Sequence, residues 1–402
     1  MSFAVILKRK EQMWKLLRVI IFLFLLIPVI SWISWKLMDQ EQINLLVLDK
    51  TTPNGNYSEH LSFFWVANQK RWVKPDGDEY NFAEDFYGFH PEDDGRYKIK
   101  DLKVLGKRGL ENVADSLDVA FFADTYGIYN SNWKDHPDYG KDTISLFYGG
   151  LKEAEFNLLR EMKRKGKTII AEFNLYASPT KPVIRRQTEE LLGVRWKGWV
   201  GKYYQTLDTI LDPEIPKWIP NLYRKNYKKE YKFNKAGIVL VDDKERIVIL
   251  DAKLHLKQRF PVLESELSTH LQYNVPEKIY YPFWFDINTT DERNHVLAWF
   301  KLDVTEAGQK LLDHYNLPNR FPAIIEHDDK YRFLYFACDF SDNEMGIYSS
   351  YFRGVNKLSG AFYSANQVKD RKMFFWKYYR PFMGNVMDSI VARKARKIRY
   401  LD

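Results

Sequence analysis

The run Val19–Trp35 (VIIFLFLLIPVISWISW) contains no ionisable residue, and it constrains this chain more than any other feature. At 1.5 Å per residue, about 20 helical residues cross a ~30 Å hydrocarbon layer. Leu16 and Leu17 extend the run to that length, interrupted only by Arg18. Arg18 and Lys36 can extend to the headgroups, and Trp14, Trp32 and Trp35 suit the interfaces. Pro28 kinks such a helix without forbidding it. A cleaved signal peptide would end in a small-x-small site, whereas this run ends SWISWKLM. No cysteine follows, which excludes a lipoprotein, and a core helix would show a polar face. The expectation is a membrane anchor. Lys8, Arg9, Lys10, Lys15 and Arg18 precede it, while Lys36 is soon followed by Asp39 and Glu41. The positive-inside rule then puts the N-terminus in the cytoplasm and the body outside the plasma (inner) membrane.

The formal charge of +8 sits at the two ends. Residues 1–18 and 393–402 are each strongly basic, and the intervening body is balanced, which argues against a nucleic-acid partner. Cys338 is the only cysteine, so neither an intrachain disulfide nor a cysteine zinc cage can form. The eight histidines show no HExxH spacing, and there is no GxGxxG or P-loop run. No cofactor and no metal site is expected. Aromatic residues are abundant at 16%, with 12 Trp, which fits either a ring-rich core or a groove for sugars.

After the anchor, INLLVLD (43–49) reads as a short buried strand, and a helix is predicted over about 56–70. Residues 72–112 are polar and read as an insertion with little regular structure. LDVAFFA (117–123) and TISLFY (143–148) read as buried strands. Leu151, Ala154, Leu158 and Met162 recur at helical spacing until Gly166. Thr168–Ala171 reads as the next strand, and a helix opening at Thr180–Pro182 ends at Gly193. GIVLVDDKERIVILD (237–251) reads as a hairpin. Strand-like runs follow at 279–286, 296–302, 322–326 and 331–338, with helices at 305–315 and about 373–391. This alternation predicts an α/β fold with a mostly parallel, doubly wound sheet carrying β insertions. The expected organisation is a basic tail (1–18), an anchor (19–37), one α/β domain (43–392, with insertions 72–112 and 212–320) and a basic C-terminal tail (393–402).

Ligands bind beyond the carboxyl ends of the strands in such sheets. The strands deliver Asp49-Lys50, Asp124-Thr125-Tyr126, Gly149-Gly150, Glu172-Phe173-Asn174 and Asp339 there. Each acid alone is as readily a turn cap, but their joint appearance points to one acidic hollow. The segments TISLFYGGLKEAEFNLLREMKRKGKTIIAEFN and FPAIIEHDDKYRFLYFACDFSD resemble the class I glutamine amidotransferase-like superfamily, over roughly residues 43–210 and 320–342. The resemblance implies a flavodoxin-like sheet with a nucleophile elbow after Thr168–Ala171. It departs from the family's catalytic pattern. The elbow carries Glu172 and Phe173 rather than cysteine, and Asp339 stands where the family delivers histidine. Cys338 reads as a core residue, so glutaminase chemistry by the family route is not expected.

What remains is a carboxylate pair, Glu172 and Asp339, beside Asp124 and Asp49. Such a pair can serve as acid and base on a glycosidic bond, hold a divalent cation, or accept bonds from sugar hydroxyls. Arg185 and Trp199 are further candidate ligand contacts. Trp199 belongs to WKGWVGKYY (196–204), which suits either stacking on sugars or core packing. The leading expectation is a non-catalytic binder of cell-envelope carbohydrate. A glycan hydrolase and a structural partner in an envelope assembly, meeting other proteins through 72–112 and the basic tail, are the alternatives.

Overall fold

The computed structural model describes residues 3–399 except 93–94, 132, 135, 138, 140–144, 213–214, 344 and 365–366. Helix α1 spans Phe3–Lys36, and its stretch Gln12–Lys36 is long and apolar enough to cross a membrane. None of its most apolar window is covered by the rest of the chain. Its last turn is packed. Trp35 is buried, its ring meeting Tyr351 edge-on at 4.8 Å and the Arg71 guanidinium at 4.2 Å.

Beyond α1 the body is a mixed α/β structure built on a ten-stranded sheet. Its strands in chain order are β1 (Leu45–Asp49), β2 (Tyr87–Pro91), β3 (Tyr97–Lys100), β4 (Val119–Asp124), β5 (Thr168–Ala171), β6 (Val262–Ser265), β7 (Lys278–Tyr280), β8 (His295–Lys301), β9 (Arg320–Asp328) and β10 (Arg332–Phe336). They lie in the order β7-β6-β8-β9-β10-β5-β4-β1-β2-β3. The centre, β10-β5-β4-β1-β2, is parallel, and both flanks are antiparallel. The 72–112 segment therefore contains more regular structure than its polar composition predicts: β2 and β3 form the sheet edge. Phe86 and Phe89 anchor that segment in the interior, and pairing partners distant in sequence decide such strands.

Strand period two sorts the central residues onto two faces. Leu45, Val47, Val119, Phe121 and Ile170 face one core, with helix α2 (Ser58–Gln69) and the C-terminal helical segment Arg371–Arg399. Phe63 of α2 stacks on Phe121 at 4.2 Å. Leu46, Leu48, Ala120, Phe122 and Ile169 face the other core, packed under α3 (Gly106–Ser116), α4 (Glu153–Arg164) and α5 (Pro182–Leu192). Helix α5 starts with proline in its first turn and stops at Gly193 with φ 74°, in the left-handed region that glycine adopts without steric cost.

A second, four-stranded antiparallel sheet is formed by Val194–Tyr204, Gly237–Asp242, Ile247–Asp251 and Phe285–Thr290. The expected hairpin over 237–251 is its outer half. Two expected strands differ. The run at 279–286 is divided, its start lying in β7 of the large sheet and its end in the Phe285–Thr290 strand of the second sheet. Residues 143–144 lie outside the described residues, and Leu146–Tyr148 pairs antiparallel with Ile128–Tyr129 in a separate two-stranded ribbon. Leu146 and Phe147 are exposed there, so this apolar run is not a buried central strand. The basic tail is also tied down. Arg393 pairs with Asp328, and Lys394 Nζ lies 2.7 Å from Asp118 Oδ2.

Candidate functional site

From β1 the chain crosses through α2 to β2 on one side, then returns to β4 on the other side of β1. Their carboxyl ends thus flank a crevice at the point where strand order reverses, which is where open α/β sheets place ligands. A cleft of about 490 Å³ opens beside it, over the carboxyl ends of β4, β5 and β10. One part of the lining comes from the large sheet: Asp124 at the end of β4 and Tyr126 beyond it, Phe173 and Asn174 after β5, and Asp339 and Asp342 after β10. Glu59, in the first turn of α2, joins them, and Arg371 enters from the C-terminal segment. The second sheet and its neighbours supply the rest of the lining, including Trp196, Lys202, Trp218, Asp243 and Trp284.

The acidic wall is internally braced. Asp124 Oδ1 accepts from Thr51 Oγ1 at 2.9 Å, and its Oδ2 accepts from Asn174 Nδ2 at 3.0 Å. Asn174 sits at φ 70°, a left-handed conformation that asparagine tolerates better than most residues. Burial, with Asp49 nearby, pushes the Asp124 carboxyl up to about 8. Arg371 Nη2 lies 3.2 Å from Asp339 Oδ2 and 2.8 Å from Asp342 Oδ2, neutralising part of that pair. Burial and the adjacent Asp339 still push Asp342 up to about 7. Glu59 is pushed well above the usual carboxylate range by burial and then by Asp339, Asp342, Asp124 and Asp49. The cleft therefore holds carboxyl groups that keep their protons near neutral pH and can donate as well as accept hydrogen bonds.

Glu59, Asp339 and Asp342 each bring a carboxylate oxygen within 4.8 Å of the other two. Oxygen donors of this kind suit a hard divalent cation. The Arg371 guanidinium already occupies the compensating position, so the trio does not by itself call for a metal ion.

The structure divides the residues expected from sequence. Asp124, Tyr126, Asn174 and Asp339 line the cleft together. Glu172 does not. It is fully buried, its Oε2 accepting from Ser341 N at 3.0 Å and Ser341 Oγ at 2.7 Å, and burial pushes its carboxyl well up. Asp49 also lies beneath the surface, held by His60 Nδ1 at 2.6 Å and Thr51 N at 2.8 Å. Lys50 turns away, donating to Gly150 O at 3.0 Å and Glu155 Oε1 at 2.8 Å in a wholly buried pair that ties β1 to α4. Trp199 is core, with Tyr203 and Tyr204, and of the rings in that stretch only Trp196 reaches the cleft, with Val200 and Lys202 beside it. Arg185 stands behind the wall, 2.9 Å from Asp243 and 4.6 Å from the Trp196 ring centroid.

Gly149 and Gly150 act through their backbone. A Cβ at Gly149 would come within 2.5 Å of Tyr126 O and 2.8 Å of Gly127 Cα. Gly149→Ala must therefore push the 124–127 turn out of place. We expect a loss of about 2–4 kcal/mol in chemical denaturation together with weakened ligand binding. An unchanged denaturation midpoint would show that the two turns need no such contact.

Glu59, Asp342, Arg371, Trp218 and Trp284 were not legible as site residues, whereas Lys202 belongs to the 196–204 stretch singled out as a sugar platform. A weak signal existed for Glu59, an acid opening a helix just after a strand-end loop, and for Asp342, three residues beyond Asp339. Arg371, Trp218 and Trp284 come from distant segments that only folding brings here.

No protein-family model and no curated protein matches the chain. Among solved structures, the chain is similar to a putative ThuA-like protein from Bacteroides uniformis ATCC 8492, at 11% identity and a TM-score of 0.34, covering 84% of this chain and 99% of that one. It is also similar to the cytoplasmic protein STM1381 from Salmonella typhimurium LT2, at 10% identity and a TM-score of 0.35, covering 87% and 99%. Likenesses this weak carry no argument about this chain, whose site is read from its own residues.

Proposed function

We propose that this chain is a membrane-anchored, extracytoplasmic α/β protein whose cleft binds cell-envelope carbohydrate. The observation that carries the reading is one cleft lined by three indoles, Trp196, Trp218 and Trp284, together with the carboxyl groups of Glu59, Asp124, Asp339 and Asp342. A sugar offers an apolar C–H face to stack on an indole and a ring of hydroxyls to meet carboxyl, amide and guanidinium groups. The cleft's volume falls in the range of small-ligand sites. Helix α1 is the proposed anchor, and the basic residues before it favour an outward-facing body. We also read the body as a flavodoxin-like, doubly wound, amidotransferase-like domain without the Cys–His pair. Supporting this, helices cover both faces of the parallel centre, Glu172 and Phe173 follow β5, and Cys338 is buried with its thiol pushed up by burial.

Trp196→Ala and Trp284→Ala should each weaken binding of envelope oligosaccharides in calorimetric titration by about tenfold, from lost stacking. Glu172→Gln should leave affinity unchanged, because its carboxyl does not reach the cleft. Undiminished affinity in both tryptophan variants would sink the carbohydrate reading. A hydrolase is the second reading, favoured by Asp342: a carboxyl titrating at about 7 beside Asp339 is placed to act as a general acid. Under that reading Asp342→Asn abolishes product formation while retaining affinity. Under the binding reading the unmodified chain forms no product.

A further inference from the structure

We propose that the groove where α1 meets the body is a binding site for the headgroup of an anionic phospholipid. The proposal rests on the reading of α1 as a membrane anchor. The groove, about 680 Å³, has an apolar wall from α1 (Ile27 and Ile30) and a rim carrying Lys70, Arg353, Lys357 and Arg380. Four cations stand around the emerging end of α1, which among the described residues is the one helix long and apolar enough to span a bilayer.

The groove follows the outer end of α1. Arg353, clamped to Ser31, stands one turn outward of Ile27, so the isoleucines face acyl chains and the cations face headgroups. Free phosphate would use the cations but leave the isoleucine wall against water; a lipid uses both.

The cations are not equivalent. Lys70 is paired with Asp388 at 2.5 Å, and Arg380 Nε donates to Gln69 at 2.9 Å. Arg353 and Lys357 are exposed and have no carboxylate at ion-pair distance among the described residues, so they are available to a phosphate. The backbone around them is clamped to α1: Ser31 Oγ donates to Arg353 O at 2.8 Å, and Arg353 N donates to Ser31 O at 3.2 Å. Next to this clamp, Tyr348 and Leu358 are 78% and 61% exposed, as side chains meant for an interface with lipid would be.

The test uses the full chain in nanodiscs of phosphatidylcholine alone or mixed equally with phosphatidylglycerol, with retained lipid read by native mass spectrometry. We expect phosphatidylglycerol to be retained preferentially, and the Arg353→Gln/Lys357→Gln double variant to lose that preference by about tenfold or more, given what each cation contributes near an anionic surface. Equal retention of both lipids, an unaltered preference in the double variant, or displacement of the lipid by inorganic phosphate would each overturn the proposal. Alkaline carbonate extraction of native membranes separates this from the anchor reading. Release of the chain into the soluble fraction refutes the anchor itself, whereas an embedded chain with no lipid preference refutes only the groove.

Discussion

The chain should lose stability steadily as pH rises from about 4 to about 8, and Asp124→Asn should remove a large part of that loss. Asp124 has its folded-state value raised to about 8, against about 3.9 in the unfolded chain. The folded state thus binds a proton that the unfolded state has released across that interval. A raised value of this kind contributes stability fully present below the unfolded value and lost as pH climbs through the folded one. The change amounts to several kcal/mol, on the order of 1.4 kcal/mol per pH unit for one proton. Asp342, raised to about 7, adds a component of the same sign that ends about one unit lower. Denaturation midpoints of the wild type and Asp124→Asn across this range give the joint effect of Asp124 and its influence on Glu59, because titrations of distant groups cancel. Parallel curves would mean that Asp124 is ionised in the folded chain at neutral pH.

Arg371→Met should be the most damaging single change near the cleft. It removes the guanidinium lying within 3.2 Å of both Asp339 and Asp342 while Glu59 stays beside them. Deleting one partner of a buried ion pair costs about 3–5 kcal/mol, because the charge left behind has been desolvated without compensation. The carboxyls can relieve part of this by taking up protons, so the defect should be smaller in acid and larger at alkaline pH. Asp339→Asn/Asp342→Asn in the same background should recover much of the loss, and a double-mutant cycle measures the coupling. If Arg371→Met unfolds within 1 kcal/mol of the wild type, on the scale of an ordinary surface change, the guanidinium does not hold the acidic wall together.

The two effects together describe a cleft that folding assembles against its own electrostatics. Glu59, Asp124, Asp339 and Asp342 are crowded together, with Arg371 as the cation bonded to the last two. Crowding of this kind is tolerated where it prepares a surface for a ligand, since groups held at unusual proton affinities cluster at functional sites. Hydroxyls that accept from protonated carboxyls and donate to ionised ones would relieve it. Bound oligosaccharide should therefore stabilise the chain more at alkaline than at acid pH under the proposed function.

Much of the architecture was legible in the primary structure because it is local. Val19–Trp35 announces its helix by composition alone. The continuous apolar runs at Leu45–Asp49 and Val119–Asp124, the Pro182 start and Gly193 stop of α5, and the 237–251 hairpin are read from composition, spacing and turn chemistry. The convergence of Asp124 and Asp339 also followed from strand polarity, since parallel neighbours deliver their next residues to one edge. Other assignments required the fold. Lys50 and Glu172 follow strands just as Asp124 does, yet one turns into a buried pair with Glu155 and the other bonds to Ser341 beneath the cleft. Which way a strand-end side chain turns depends on partners more than a hundred residues away, and no local pattern records them. The same holds for Trp196 and Trp199, three residues apart, of which one lines the cleft and the other is core. Composition and period determined the elements and their polarity. Only long-range packing decided which acids and rings share a hollow, because desolvation and charge pairing depend on three-dimensional neighbours.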